Sequence, residues 1–435
     1  MSALKLAVVG GGSTYTPELA DGLARLRDTL PVGELVLVDP AAERLERVAG
    51  LARRILARQD HPATVTTTAS VAAGVEDADA VLLQLRVGGQ AAREQDETWP
   101  LECGCVGQET TGAGGLAKAL RTVPVVLGIA EQVRRTAPRA WIVDFTNPVG
   151  IVTRALLTAG HRAVGLCNVA IGFQRRFARH LGVDPGRIRL DHVGLNHLTW
   201  ERGVTLLDTP GATGGREVLP ELLVGFGEQI AADLRLPLPL IRRLGAVPSY
   251  YLRYFYQHDT VVDELRTNGS RASRVAAIER QLLEMYADPA LDTKPDLLAQ
   301  RGGAFYSEAA VQLVAALLGT GSGSGSGDGA GVQVVDTRND GTLPFLPDDA
   351  VIEVPAAVDT DGVRPLPVRP VEPLYAGLIA HVTAYEQLAL EAALKGGYDR
   401  VHSALLAHPL IGQAERADRL TDRLIAHNRA HLSWA

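Results

Sequence analysis

Cysteine is scarce in this 435-residue chain, which has only Cys103, Cys105 and Cys167. A low, odd count excludes the disulfide framework of a small secreted domain and suits a reducing compartment. Cys103 and Cys105 stand two positions apart, too close for an ordinary bridge, and no second pair completes a four-ligand zinc site. Long apolar runs are lacking too, and none reaches the length and purity expected of a transmembrane helix. The chain opens Met1-Ser-Ala-Leu-Lys5 and enters a strand-like run almost at once. No signal peptide is therefore expected, and the expected compartment is the cytoplasm. Positive charge is in deficit: the formal net charge is -7, with no basic tail or stripe. That argues against nucleic acid and against an anionic membrane surface as partners.

What is present is 46% hydrophobic and 21% charged, ordinary for a soluble globular enzyme. The length allows two to three domains, or one doubly wound domain with a large appendage. Apolar runs at 4–9, 34–38, 65–68, 78–85, 141–145 and 163–166 read as strands. Helical periodicity separates them, at 17–30 and 41–59 for example. Alternating strands and helices predict an α/β fold with a parallel sheet and right-handed crossovers. From about 188 the pattern changes. Antiparallel strands are expected over 189–206, helices over 218–240, 271–286 and 307–318, strand-turn-strand over 336–354, and helices over 374–432. We divide the chain into a nucleotide-binding domain, 1–187, and an α+β domain, 188–435, that binds substrate and metal. The low-complexity Gly-Ser stretch 319–331 is expected to be a flexible surface loop.

Gly10, Gly11, Gly12 and Ser13 follow the first strand and open a helix. The third glycine of a dinucleotide fingerprint is missing, because Tyr15 stands in its place. The chemistry survives. One glycine makes the tight turn, another lets backbone amides approach a pyrophosphate, and the helix N-terminus favours the anion. Asp39 ends the second strand, where a carboxylate accepts from both ribose hydroxyls and repels a 2′-phosphate. NAD is thus expected over NADP, although Arg44 lies close by in sequence. The alternative is a plain strand–helix turn; a lone Gly-x-Gly is weak, and Asp39 in register strengthens it.

The segment 86–97, with two glycines and Arg93 before acidic residues, reads as an anion-gripping loop at the carboxyl end of a sheet strand. Gln108 and Glu109 sit in a glycine-rich turn, and Asn147 follows the fifth strand. Turn punctuation is the competing explanation for each. Cys167 and His197 each end an apolar run. A lone thiol or imidazole is usually inert core. As a pair they would hold one divalent metal and leave positions open for substrate oxygens, an arrangement suited to Lewis-acid catalysis. The segment 248–256 holds four of the ten tyrosines, as core packing or as the source of a general base.

Together these stretches resemble glycoside hydrolase family 4. The matching motifs are Val9-Gly-Gly-Gly-Ser-Thr-Tyr-Thr-Pro17, Gly107-Gln-Glu-Thr110, Thr146-Asn-Pro148, Leu166-Cys-Asn168, Leu195-Asn-His197 and Tyr251-Leu-Arg-Tyr254. Arg301-Gly-Gly-Ala-Phe-Tyr-Ser-Glu308 and Leu343-Pro-Phe-Leu-Pro-Asp-Asp-Ala350 resemble the 6-phospho-β-glucosidase branch. The resemblance implies a Rossmann-like nucleotide domain of the lactate/malate dehydrogenase type, with NAD and Mn2+ or another divalent metal as cofactors. It implies hydrolysis of a phosphorylated disaccharide or β-glucoside by C3 oxidation, C2 deprotonation, elimination, water addition and re-reduction. Carried over residue by residue, it implies Cys167 and His197 as metal ligands and Tyr251 as base, with Tyr250 as rival. It implies Glu109 as the residue that raises the basicity of the tyrosine, and Arg93, Asn147 and Arg271 as substrate contacts. Asn168 stands where the phospho-α-glucosidase branch has an acidic proton donor, which disfavours an α-linked substrate. A homodimer or homotetramer is implied by the same likeness. The readings left open are the same chemistry on a non-phosphorylated or α-linked glycoside, a plain 2-hydroxyacid-type dehydrogenase, and a non-catalytic NAD-binding regulator.

Overall fold

The computed structural model describes residues 3–303, 305–320 and 331–435. Most of the Gly-Ser stretch, 321–330, lies outside the described residues, and the expectation of a surface loop there goes with it. The strands are β1 Leu4–Val9, β2 Val32–Val38, β3 Thr64–Thr68, β4 Ala80–Leu83, β5 Trp141–Asp144, β6 Ala163–Gly165, β7 Ile188–Leu195, β8 Leu198–Leu207, β9 Gly215–Glu217, β10 Val247–Pro248, β11 Gly331–Arg338, β12 Val351–Asp359 and β13 Gly362–Pro365.

The first six are parallel, in the order β3-β2-β1-β4-β5-β6. This is the doubly wound order whose switch point lies beside β1, where ligands bind. Period-two alternation divides the side chains between two cores. Ala7, Val9, Val81 and Leu83 pack on one face against Leu116, Leu120 and Val123 of the helix Gly112–Thr136. Leu6, Val8, Leu35 and Leu82 pack on the other against the helices Thr16–Arg25 and Ala42–Arg58. Both faces are covered, so these strands read as continuous apolar runs. Each fully buried leucine or valine contributes roughly 1.5–3 kcal/mol to the folded state.

The second half extends this sheet rather than starting another. Beyond β6 come β11, β12, β7, β8 and β10, all antiparallel to their neighbours. Helices from the second half also close both cores: Leu282, Tyr286 and Leu313 on one face, Tyr385 and Leu424 on the other. The division at 187/188 thus falls just before β7, in a chain whose sheet and cores run across it.

Three expectations need correction. The first helix stops at Arg25, not at residue 30, because Leu30 is buried as the entry to β2 rather than as a helix face. The expected anion-gripping loop 86–97 is mostly helix: Gly88, at φ +83°, turns the chain into the helix Gly89–Glu102. Finally, the 25-residue helix Gly112–Thr136 is long and apolar enough to cross a membrane by length and composition, although most of its apolar stretch is buried inside the protein.

Candidate active site

The turn after β1 is built by close approach. Gly10 has φ +89°, and a Cβ there would meet the Gln84 carbonyl oxygen at 2.7 Å. A Cβ on Gly12 would stand 2.8 Å from the Asp39 carboxylate. Asp39 accepts from the Gly12 N–H through Oδ2 at 3.2 Å and from the Ala41 N–H through Oδ1 at 2.9 Å. Arg44 donates from Nε to the Gly12 carbonyl at 2.7 Å and pairs with Glu279, so this guanidinium is tied to the turn itself. Ser13 receives a hydrogen bond from Arg301 at 3.3 Å. Tyr15, in place of the third glycine, turns its hydroxyl to the Gly303 carbonyl and packs edge-on to Tyr306.

This turn lines one end of a cavity of about 1060 Å³. Gly10, Gly12, Ser13 and Asp39 share its wall with Arg93, Glu109, Asn147, Asn168, His197, Tyr251 and Arg271. Gly11 and Cys167 are not on that wall: Gly11 has its backbone packed on β2, and the Cys167 thiol is buried behind it. The buried Asn147 Oδ1 has no protein partner, which leaves an acceptor for a ligand hydroxyl.

Glu109 lies between three cations. Arg86 grips it, Lys118 donates at 2.7 Å and Arg93 at 3.1 Å. Burial opposes its ionisation, yet Arg86, Lys118 and Arg93 hold its carboxyl well below the usual range. Burial pulls Lys118 down to about 8 against the pull of Glu109.

Cys167 follows β6 and precedes the helix Val169–Leu181, whose N-cap position is Asn168. His197 occupies the two-residue turn between β7 and β8, at φ +64°. The Asn196 side chain beside it reaches the Cys167 thiol, which draws the two candidate ligands together. β10 pairs with β8 through Val247 and Pro248, then Ser249 donates its N–H to the Thr199 carbonyl and its hydroxyl to the His197 carbonyl. The 3-10 turn Tyr250–Leu252 follows directly. The Tyr251 ring therefore stacks on the His197 ring, 3.6 Å between centroids and 9° from parallel. Tyr250, the rival base, meets Tyr251 edge-on.

Burial lowers His197 to about 4, so the imidazole is neutral, and Thr110 Oγ1 lies 3.1 Å from its Nδ1. Burial, with Glu353 and Asp336, pushes the Cys167 thiol well above its usual value. Burial, with Cys167, Tyr254 and Glu109, does the same to Tyr251. A cation among these groups would bring the thiol and the phenol down and keep the imidazole neutral.

Arg86, Lys118, Arg301 and Tyr306 are among the cavity residues with no role assigned from sequence. Arg86 and Lys118 complete the Glu109 cluster, and Arg301 and Tyr306 come from the other half of the chain. Arg86 stood at the edge of the segment 86–97 and Arg301 in a quoted motif. Lys118 left no signal beyond being the one lysine in an apolar helix.

The donor set fits a dinucleotide and a metal. The glycine cradle leaves no room for side chains where a pyrophosphate would lie, and a neutral imidazole beside a buried thiol suits a divalent ion. Among the described residues no group of three or more His, Cys, Asp or Glu side chains is arranged to hold a metal.

Comparison with known proteins follows the same lines. Residues 5–183 match the profile of family 4 glycosyl hydrolase, and residues 192–411 match that of the family 4 glycosyl hydrolase C-terminal domain. The chain is 36% identical to the probable 6-phospho-beta-glucosidase of Bacillus subtilis (strain 168), covering 99% of this chain and 97% of that one. It superimposes on the 6-phospho-beta glucosidase from Thermotoga maritima, solved with NAD and glucose-6-phosphate, at a TM-score of 0.89 and 32% identity, covering 99% of each chain. The same Thermotoga enzyme has been solved with manganese, NAD+ and glucose-6-phosphate. A Cryptosporidium parvum malate dehydrogenase shares the fold at a TM-score of 0.55 and 15% identity, covering 90% of this chain and 99% of that one. This chain belongs to glycoside hydrolase family 4.

Proposed function

We propose that this enzyme hydrolyses 6-phospho-β-glucosides with NAD and a divalent metal, manganese first among them. One observation carries the reading: a single cavity runs from the glycine turn and Asp39 to His197 and Tyr251, with arginines on its wall. Relatives that are 6-phospho-β-glucosidases, one solved with NAD, manganese and glucose-6-phosphate, support it.

Gly10, Gly11, Gly12 and Ser13 take the pyrophosphate, and Asp39 takes the adenosine ribose. Cys167 and His197 hold the metal. When bound, NAD supplies reversible oxidation at the sugar C3 and the metal supplies Lewis acidity at the neighbouring oxygens. The chain's residues do the rest. Tyr251 takes the C2 proton, which a C3 carbonyl has made acidic. Glu109, kept ionised by its cations, raises the basicity of Tyr251. The C1–O bond breaks by elimination, water adds, and C3 is restored. Asn147 meets sugar hydroxyls, while Arg93 and Arg271 take the 6-phosphate by forked hydrogen bonds. Asn168 has no proton to give an α-linked leaving group, which favours the β configuration.

The domain roles, nucleotide at 1–187 and substrate and metal at 188–435, overlap at this cavity, since Arg93 and Arg271 on its wall come from opposite sides of the division. A cytoplasmic homodimer or homotetramer without nucleic acid or membrane partners is proposed as well, in keeping with the net charge of -7. Light scattering on the purified protein measures the assembly.

The test of function is a panel of aryl β- and α-glucosides with and without the 6-phosphate, with NAD and Mn2+ each added or omitted. Turnover confined to the phosphorylated β-substrate with both cofactors is expected. Turnover without the phosphate would move the reading to another glycoside, and net NADH accumulation would move it to a dehydrogenase.

A further inference from the structure

The helix Gly89–Glu102 carries Glu94 and Glu97, which both reach the start of the helix Arg271–Tyr286. Glu97 is buried, and both of its oxygens are engaged. Oε1 accepts from Arg93 Nε at 2.7 Å, and Oε2 accepts from the Ala272 N–H at 2.8 Å. Glu94 accepts from the hydroxyls of Ser270 and Ser273, and Ser270 caps the helix by accepting from the Ser273 N–H at 3.0 Å. The first-turn amides of Ala272 and Ser273 are therefore already occupied, and this helix end does not offer them to an anion. What it offers is the side chain at its first position, Arg271, which lines the cavity and is steadied by the Arg301 carbonyl at 3.1 Å. Arg93 is fixed on a second side by Glu109 at 3.1 Å. One buried carboxylate thus joins the Arg93 side chain to the backbone amide next to Arg271, far away in the chain.

We infer that Glu97 is a positioning residue for the phosphate grip, setting the separation between Arg93 and Arg271 that fits the 6-phosphate of the sugar. The inference rests on the assignment of those arginines to the phosphate. Charge alone argues the opposite role. A carboxylate paired with an arginine weakens the field felt by an incoming anion, so removing its charge would tighten phosphate binding. Positioning predicts looser binding, because an amide in its place meets one donor with its oxygen and opposes the other with its N–H groups. The two roles differ in sign.

The experiment measures binding of glucose 6-phosphate and of glucose to the full-length enzyme with NAD and Mn2+, comparing wild type, Glu97→Gln, Glu97→Asp and Arg271→Ala. Glu97→Gln is expected to raise the Kd for glucose 6-phosphate about tenfold, the scale of one lost charge-assisted hydrogen bond. Binding of NAD and of glucose should stay as in wild type, and KM for the phosphorylated substrate should rise by more than kcat falls. Glu97→Asp keeps the charge but is one methylene too short to span both donors, so it should weaken glucose 6-phosphate binding as well. Unchanged or tighter glucose 6-phosphate binding in Glu97→Gln overturns the inference. If that variant does not fold, wild-type affinity in Glu97→Asp overturns it. Arg271→Ala separates the premise from the inference. Wild-type affinity in Arg271→Ala removes the phosphate assignment itself, whereas weakened binding there with unchanged binding in Glu97→Gln removes only the role of Glu97.

Discussion

His197 is neutral because it is buried, and neutral imidazole is the form that binds metal. Its neighbours explain why it is more than a core histidine. It sits in a strained two-residue turn, with a tyrosine ring stacked on one face and a threonine hydroxyl at Nδ1. Cys167 shares this corner through Asn196, and burial with Glu353 and Asp336 pushes its thiol well above the usual value. A metal held by this thiol, as proposed, would expel its proton. Cys167→Ser is expected to weaken Mn2+ binding by tenfold or more in titration calorimetry while NAD binding is kept. Unaltered manganese affinity would remove Cys167 from the ligand set. Tyr251→Phe should abolish exchange of the sugar C2 proton with solvent, followed by proton NMR, with substrate still bound. Persistent exchange would point to Tyr250.

At the scale of elements, the site depends on one pairing. His197 immediately precedes β8, β10 pairs with β8, and Ser249 bonds the Thr199 and His197 carbonyls before the chain turns into Tyr250–Leu252. Ser249→Ala removes the hydroxyl that holds the His197 carbonyl. It should cost about 1 kcal/mol in urea unfolding and lower kcat more than it raises KM, because the proposed base, Tyr251, would be displaced from the reacting carbon. The same elements mark the limit of sequence reading. The parallel strands, the glycine turn, Asp39 and the long helices were legible because period and turn chemistry are local. The extension of the sheet through β11, β12 and β7 was not, because neither end of a strand states which neighbour it will find. The segment 86–97 read as a loop because its glycines suggest one; Gly88 instead serves as the residue that turns into a helix. Cys167 and His197 were each visible, but their approach depends on Asn196 and on the β7–β8 hairpin. Lys118 was hidden because an ion pair with a residue nine positions away, across a turn and into a helix, has no periodic signature.

Across the sheet of the second half, β7, β8 and β12 share one buried charge network. His192 on β7 lies between Glu201, 2.6 Å from Nδ1, and Glu353, 3.0 Å from Nε2, and Asn196 donates to the same Glu353. Burial disfavours the charged ring, but the two carboxylates raise His192 to about 10. A folded-state value above the unfolded one means that this contribution to stability is complete below about pH 6.5 and is lost as pH rises through about 10. Urea midpoints of wild type should fall over that interval, and His192→Gln should flatten the slope. An equal slope in the variant would place the alkaline loss elsewhere.

The central claim is that one cavity combines a redox cofactor with a metal to break a glycosidic bond without net oxidation. It is tested most directly by hydrolysing an aryl 6-phospho-β-glucoside in D2O with NAD and Mn2+ and examining the glucose 6-phosphate released. The account predicts deuterium at C2, hydrolysis that stops when either cofactor is withheld, and no net NADH. Hydrolysis that leaves C2 fully protonated and proceeds without NAD would contradict it.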